Sequence, residues 1–351
     1  AVILGKTNLS EWANYLCLGC PNGYSAVGGQ TLNPYGRRRF DTGGSSSGSG
    51  AAMAANYAVV AVGTETSGSI LSPSSKSSLV GLKPTIGLLS RGGIVPISST
   101  LDTPGPMTRS VTDNAILLSA MTGKDAADPA MANNVQDNNY LETLKNGQLE
   151  GLRLGVNTAY LEDEEYAASI ASLKDAGALL FEFTPIEVDF GGFGEFLSAD
   201  MRNDLPDYIS QYGSPALTVA NVADIVQYNL RDTVVRIPYG QGRFGGILDV
   251  DLSVAGYDSL KTRLHDEGVR FLETPLEAFQ LDAILSINNY GAGYAAAAQY
   301  PCLTVPMGYT AEGEPKSLTF IGRPFTEDKL LQMGYAFEQL TRKRVSPELF
   351  R

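Results

Sequence analysis

Histidine is almost missing from this chain: the 351 residues hold one, His265. A Ser-His-Asp triad therefore has a single candidate base. That base sits in Lys261-Thr262-Arg263-Leu264-His265-Asp266-Glu267, a charged stretch that reads as the exposed face of a helix, with nothing to orient the ring. Cysteine is scarce as well. Cys17 and Cys20 form a lone Cys-x-x-Cys with no second pair and no histidine beside it, which argues against zinc and leaves two ordinary thiols or a local disulfide; Cys302 stands apart. No metal is expected. No apolar run reaches the about 18 residues that a membrane-crossing helix needs. Positive charge is in deficit, 26 Lys and Arg against 38 Asp and Glu, and the net charge of -12 argues against nucleic acid as a partner. The acid excess gathers mid-chain, as in Leu161-Glu162-Asp163-Glu164-Glu165, and the short basic run Arg37-Arg38-Arg39 reads as a solvated loop.

What the chain has in place of these is glycine and serine in two dense segments, Gly43-Gly44-Ser45-Ser46-Ser47-Gly48-Ser49-Gly50 and Gly63-Thr64-Glu65-Thr66-Ser67-Gly68-Ser69-Ile70. Glycines around a serine let backbone N–H groups approach a substrate closely, which an acyl-transfer site requires. A flexible linker is the competing reading of the first segment. Its flanks, Asn33-Pro34-Tyr35 before and an Ala-rich helical pattern after, show no change of composition, so it reads as a loop capping a helix. A phosphate-cradling loop needs Gly-Lys-Ser/Thr at its close, and no lysine lies between Arg39 and Lys76. With histidine unsuited, the remaining common base for a serine is a desolvated lysine. Burial lowers the pKa of the ammonium and leaves a neutral amine to accept a proton, directly or through a second hydroxyl.

From Gly43 to Thr85, through Gly81-Leu82-Lys83-Pro84-Thr85, the chain resembles the amidase signature family. Leu4-Gly5-Lys6-Thr7-Asn8-Leu9-Ser10-Glu11-Trp12-Ala13, Asp102-Thr103-Pro104-Gly105-Pro106-Met107 and Pro301-Cys302-Leu303-Thr304-Val305-Pro306 are similar to the family's flanking pieces, and the Glu-Thr form of the second segment looks closest to its peptide-amidase branch. The resemblance implies amide hydrolysis without a cofactor, on a small-molecule or peptide amide. It implies Ser69 as nucleophile and Ser45, after a cis peptide at Gly44, as a proton relay to a lysine. The backbone N–H groups of Thr66, Ser67, Gly68 and Ser69 inherit the oxyanion hole, and Ser46 steadies the relay. Lys83 is expected to be structural, as is Lys6. A glutamine-amidase subunit of a tRNA amidotransferase would use the same residues, and a binding protein without activity would keep the pocket alone.

Three departures from the family pattern stand out. Leu71 follows Ser69-Ile70 where arginine is frequent, serine occupies position 67, and Asp41-Thr42 precedes the glycine pair. The family's catalytic lysine belongs to an upstream Gly-x-Pro-x-x-x-Lys-Asp-Asn stretch, of which these residues hold no counterpart. A shortened chain, an incomplete gene model and a pseudoenzyme are the three explanations; the compartment is open, with the cytoplasm as default.

The expected architecture is a single α/β domain over 1–351, with a mixed central sheet covered by helices on both faces. Its signature core spans 43–111, and a variable region at about 190–300 walls the substrate cleft. Periodicity predicts strands at Ile3 to Gly5, Val59 to Gly63, Gly151 to Val156, Asp282 to Ile287, Cys302 to Pro306 and Lys316 to Ile321. It predicts helices at Ser10 to Leu16, Ser49 to Tyr57, Ser110 to Thr122, Glu164 to Asp175, Phe193 to Ser210, Val219 to Leu230, Tyr257 to Leu272 and Thr326 to Thr341.

Overall fold

Apolar residues that alternate along the later strands build the sheet. A computed structural model describes residues 2–131 and 139–350. Its strands are β1 (Tyr24–Ser25), β2 (Gly29–Gln30), β3 (Ala61–Glu65), β4 (Val80–Lys83), β5 (Thr103–Thr108), β6 (Arg153–Asn157), β7 (Leu179–Phe183), β8 (Ala283–Ile287), β9 (Cys302–Tyr309) and β10 (Pro315–Ile321). β1 and β2 form a small hairpin, and the other eight make one sheet in the order β3-β5-β4-β9-β10-β8-β6-β7. Neighbours are antiparallel from β3 across to β8, and the β8-β6-β7 pairs are parallel, so the sheet is mixed as expected.

Successive side chains of a strand point to opposite faces, and the core divides accordingly. Leu303, Val305 and Met307 of β9, with Leu318 and Phe320 of β10, join a cluster roofed by helix α3 (Val111–Met121) and by helices 164–175 and 327–341. Cys302 and Ile321 turn the other way, beneath Leu272 and Leu276 of the long helix 254–278 and Ala295 of helix 292–297. Two further helices matter below, α1 (Ser47–Ala54) and α2 (Leu71–Lys76). A third apolar group gathers Phe196 and Met201 of helix 193–212, Ile225 of helix 222–230 and Phe244 of helix 242–248 around Tyr15, Ile97 and Leu101.

Several expectations need correction. Ile3 to Gly5 is not a strand: Val2, Ile3 and Leu4 are exposed and no strand among the described residues pairs with them, and apolar side chains without a ladder do not hold β structure. Ala1 lies outside the described residues. Ser10 to Leu16 makes only a single 3-10 turn at Glu11–Asn14, because Trp12, Ala13 and Asn14 take φ of 49°, 53° and 68°, where a right-handed helix cannot continue. That turn sets the Trp12 ring against Phe244 at 5.1 Å. α1 starts earlier than predicted, at Ser47, and ends at Ala54, ahead of Asn56 with φ 61°. β3 sits later than Val59 to Gly63, where pairing with β5 from Ala61↔Met107 to Glu65↔Thr103 fixes it.

Candidate active site

β3 carries the chain into the second serine segment, and α1 starts at the end of the first. Gly43 turns the first loop with φ +65°, and a Cβ there would lie 2.7 Å from the backbone of Pro73, so only glycine fits between the loop and α2. The Gly44–Ser45 peptide is cis, as the resemblance implies. The loops are then stitched together. Ser46 N–H donates to Ser69 O at 3.1 Å; the Ser46 hydroxyl accepts from Thr64 N–H at 3.0 Å and is 3.1 Å from Thr64 O. Ser46 thus fixes β3 against the first loop, and the carbonyl of Ser45 takes the N–H groups of Ser10 and Ser47 at 3.0 and 2.8 Å.

This stitching brings Ser45 and Ser69 to one narrow pocket, with Thr64, Thr66 and Asp102 also in its wall. Ser69 is half-buried. Ser45 is fully buried, and its Oγ has no hydrogen-bond partner among the described residues. Gly68 takes φ +92°, with Asn289 Nδ2 3.0 Å from where a Cβ would sit. Ser67 is half-buried beside it.

Two acids shape the loop that carries Ser69, and sequence reasoning singled out neither. Glu65 is buried at the end of β3, where its Oε2 accepts the N–H groups of Ile70 and Leu71 at 2.6 and 3.0 Å. Burial pushes its carboxyl up, against the pull of those N–H groups, of Lys83 and of Gly68 N–H. Asp102 accepts the Thr66 hydroxyl on one oxygen and the N–H groups of Ile97 and Ser98 at 2.8 and 2.9 Å on the other. Its carboxyl is pushed up to about 7 by burial.

The remaining candidates fall elsewhere. Lys83 is fully buried and donates to Tyr300 O at 2.8 Å; burial pushes its ammonium below the lysine range, opposed by Cys302, Glu65 and Glu327. It does not line the pocket of the two serines. Lys6 is exposed, as are Arg37, Arg38 and Arg39. His265 is exposed too, its Nδ1 2.9 Å from Ala297 O. Cys17 and Cys20 are joined in a disulfide, the second of the two alternatives, while burial pushes the thiol of Cys302 up to about 12. Among the described residues no group of His, Cys, Asp and Glu is placed to hold a metal ion, and no helix is long and apolar enough to cross a membrane.

Known proteins share both sequence and fold with this chain. The family model Amidase matches residues 1–198. An amidase family protein of Bacillus anthracis superposes with a TM-score of 0.92 at 38% identity, over 98% of this chain and 70% of that one. The peptide amidase of Stenotrophomonas maltophilia does so with a TM-score of 0.92 at 36% identity, over 99% and 75%. A probable amidase of Arabidopsis thaliana is 36% identical over 364 residues, which are 99% of this chain and 69% of that protein. For a further curated relative the covered share falls to 64% of its length. The mixed eight-stranded sheet, the helices on both faces and these matches agree, and the chain belongs to the amidase family of amide hydrolases.

Proposed function

We propose that Ser69 is the nucleophile of this amidase and that Ser45 relays its proton. Ser69 Oγ attacks the amide carbonyl carbon while its proton passes to Ser45 Oγ, and the Ser45 proton passes on to a base. The leaving amine departs protonated, and water then cleaves the acyl-serine ester. Backbone N–H groups of Thr66, Ser67, Gly68 and Ser69 hold the developing oxyanion. One observation supports this reading above the others: Ser45 Oγ is wholly buried, has no partner among the described residues and lies in the wall that also holds Ser69. A buried hydroxyl without a partner costs about 1–3 kcal/mol, and a proton relay that meets its partners in the reacting complex accounts for that cost. The base the family resemblance implies is a lysine amine; Lys83, turned to Tyr300 O, is not it.

A fluorophosphonate serine probe followed by peptide mapping tests the assignment. Adduct is expected on Ser69 alone, absent in Ser69→Ala, and slowed by about 100-fold or more in Ser45→Ala, the range that general acid–base groups supply. Adduct on another serine, or equal rates in Ser45→Ala, rejects it. Folded protein without any adduct would mark a chain that keeps the pocket and not the chemistry.

A further inference from the structure

The segment between β4 and β5 crosses the mouth of the serine pocket as a strap. Ile94, Val95 and Ile97 from it line the pocket together with Ala13. Ile97 is buried and continues into the apolar group of the 193–248 helices, while Val95 stays 46% exposed at the rim. The strap is held at both ends by residues that do not line the pocket. At its start Arg91 Nε meets Asp128 at 2.9 Å and Ser90 Oγ meets Asp125 at 2.6 Å. At its end the Ser98 hydroxyl donates to Asp200, and Ser99 N–H and Oγ meet Asp204 at 2.6 and 3.0 Å.

The charge around this strap has a consistent direction. Its own cation, Arg91, is engaged by Asp128. The acid in the pocket wall, Asp102, takes three donors, Thr66 on Oδ1 and Ile97 and Ser98 on Oδ2, which leaves one acceptor site on Oδ1. Asp200 and Asp204 lie behind the strap, and Tyr257 donates to Asp200 from the long helix. A substrate group under the strap therefore meets the aliphatic side chains of Ile94, Val95 and Ile97, with Asp102, Asp200 and Asp204 beyond and Lys261 acting on Asp200 from the long helix. Desolvating a charge against such a wall without a partner is costly, and for an anion the field behind adds repulsion.

We infer that the strap selects amides whose group next to the scissile carbonyl is aliphatic and uncharged, and rejects amides that carry a carboxylate there. The inference rests on Ser69 as the reacting group, and it names the substrate class of that site. The test uses three fluorophosphonates of equal chain length, ending in methyl, carboxylate and ammonium, each forming an Oγ–P bond at Ser69 as fluoride leaves. The methyl probe is expected to label about tenfold or more faster than either charged one, the scale at which a poor pocket fit discriminates. Equal rates, or a fastest ammonium probe, overturn the inference. Val95→Lys, at an exposed rim position, is expected to raise the carboxylate-to-methyl rate ratio about tenfold; an unchanged ratio counts against the strap as the selector. If no probe labels Ser69, the nucleophile assignment falls, and the pocket is judged separately by titrating Ser69→Ala with hexanamide and with adipic acid monoamide under NMR observation. Tighter hexanamide binding then upholds the selectivity, and equal binding overturns it.

Discussion

Glu65 shows how a single side chain can set the path of a loop, here the one that carries Ser69. Its Oε2 gathers the N–H groups of Ile70 and Leu71, the two residues after Ser69, and so fixes where the chain turns from β3 into α2. Glu65→Ala leaves both donors buried and unpaired, at about 1–3 kcal/mol each. Urea unfolding is expected to show a loss of at least about 2 kcal/mol, with slower labelling of Ser69. A loss below about 0.5 kcal/mol would mean that water or a shifted backbone serves the two donors equally well. The two serine-bearing loops that meet at the pocket were legible in the sequence because glycine spacing betrays a backbone that must come close to something, while the choice of Ser45 and Ser69 within them rests on the family resemblance. Glu65 and Asp102 were not, since an acid in a short strand or at a turn looks the same whether it faces water or collects N–H groups. The same limit applies to Ser46, whose hydroxyl bonds Thr64 while its N–H donates to Ser69 O.

Elements with a strong period were legible, and those defined by their partners were not. The helix 164–175 lies where its pattern placed it, behind the cap Asp163, which accepts Tyr166 N–H at 3.1 Å. β5 went unrecognised because Pro104 and Pro106 interrupt it; it is a strand through its place between β3 and β4. The sheet also fixes how near the C-terminal helix may come. In helix 327–341, Gly334 faces β9 so closely that a Cβ would sit 2.5 Å from Leu303 Cδ2 and 3.2 Å from Val305 Cγ2. Gly334→Ala improves helix propensity by about 1 kcal/mol but overpacks this contact by about 1–3 kcal/mol. The expected outcome is a lower unfolding midpoint. A raised midpoint would show that Leu303 repacks freely and that the helix stands on the sheet less tightly than the contact implies.

Across the whole molecule, buried acids outnumber the cations set to meet them. Burial pushes Asp102 and Glu338 each up to about 7, and it raises Asp200, Asp204, Glu65 and Glu327 as well. For Asp128 burial is outweighed by the hydrogen bonds of Arg91, and the carboxyl falls to about 2. A carboxyl raised in the folded state holds its proton where the unfolded chain has already lost it. Its contribution is present below the ordinary carboxylate range and drains away as pH rises through the folded value. Asp128 acts the other way, but its window lies towards pH 2, outside the range in question. Folding stability should therefore fall between pH 5 and pH 8, and the net charge of -12 adds self-repulsion in the same direction. Asp102→Asn separates the two effects, because it removes one titration while changing the total charge little. Asp102 accounts for about 2.7 kcal/mol of the difference, at about 1.36 kcal/mol for each of the two pH units from 5 to its folded value near 7. In urea titrations at the two pH values the wild-type chain is expected to lose stability on going to pH 8, and Asp102→Asn to lose measurably less. An identical loss in both would assign the whole effect to the remaining acids and to surface charge, and would leave Asp102 ionised in its pocket throughout.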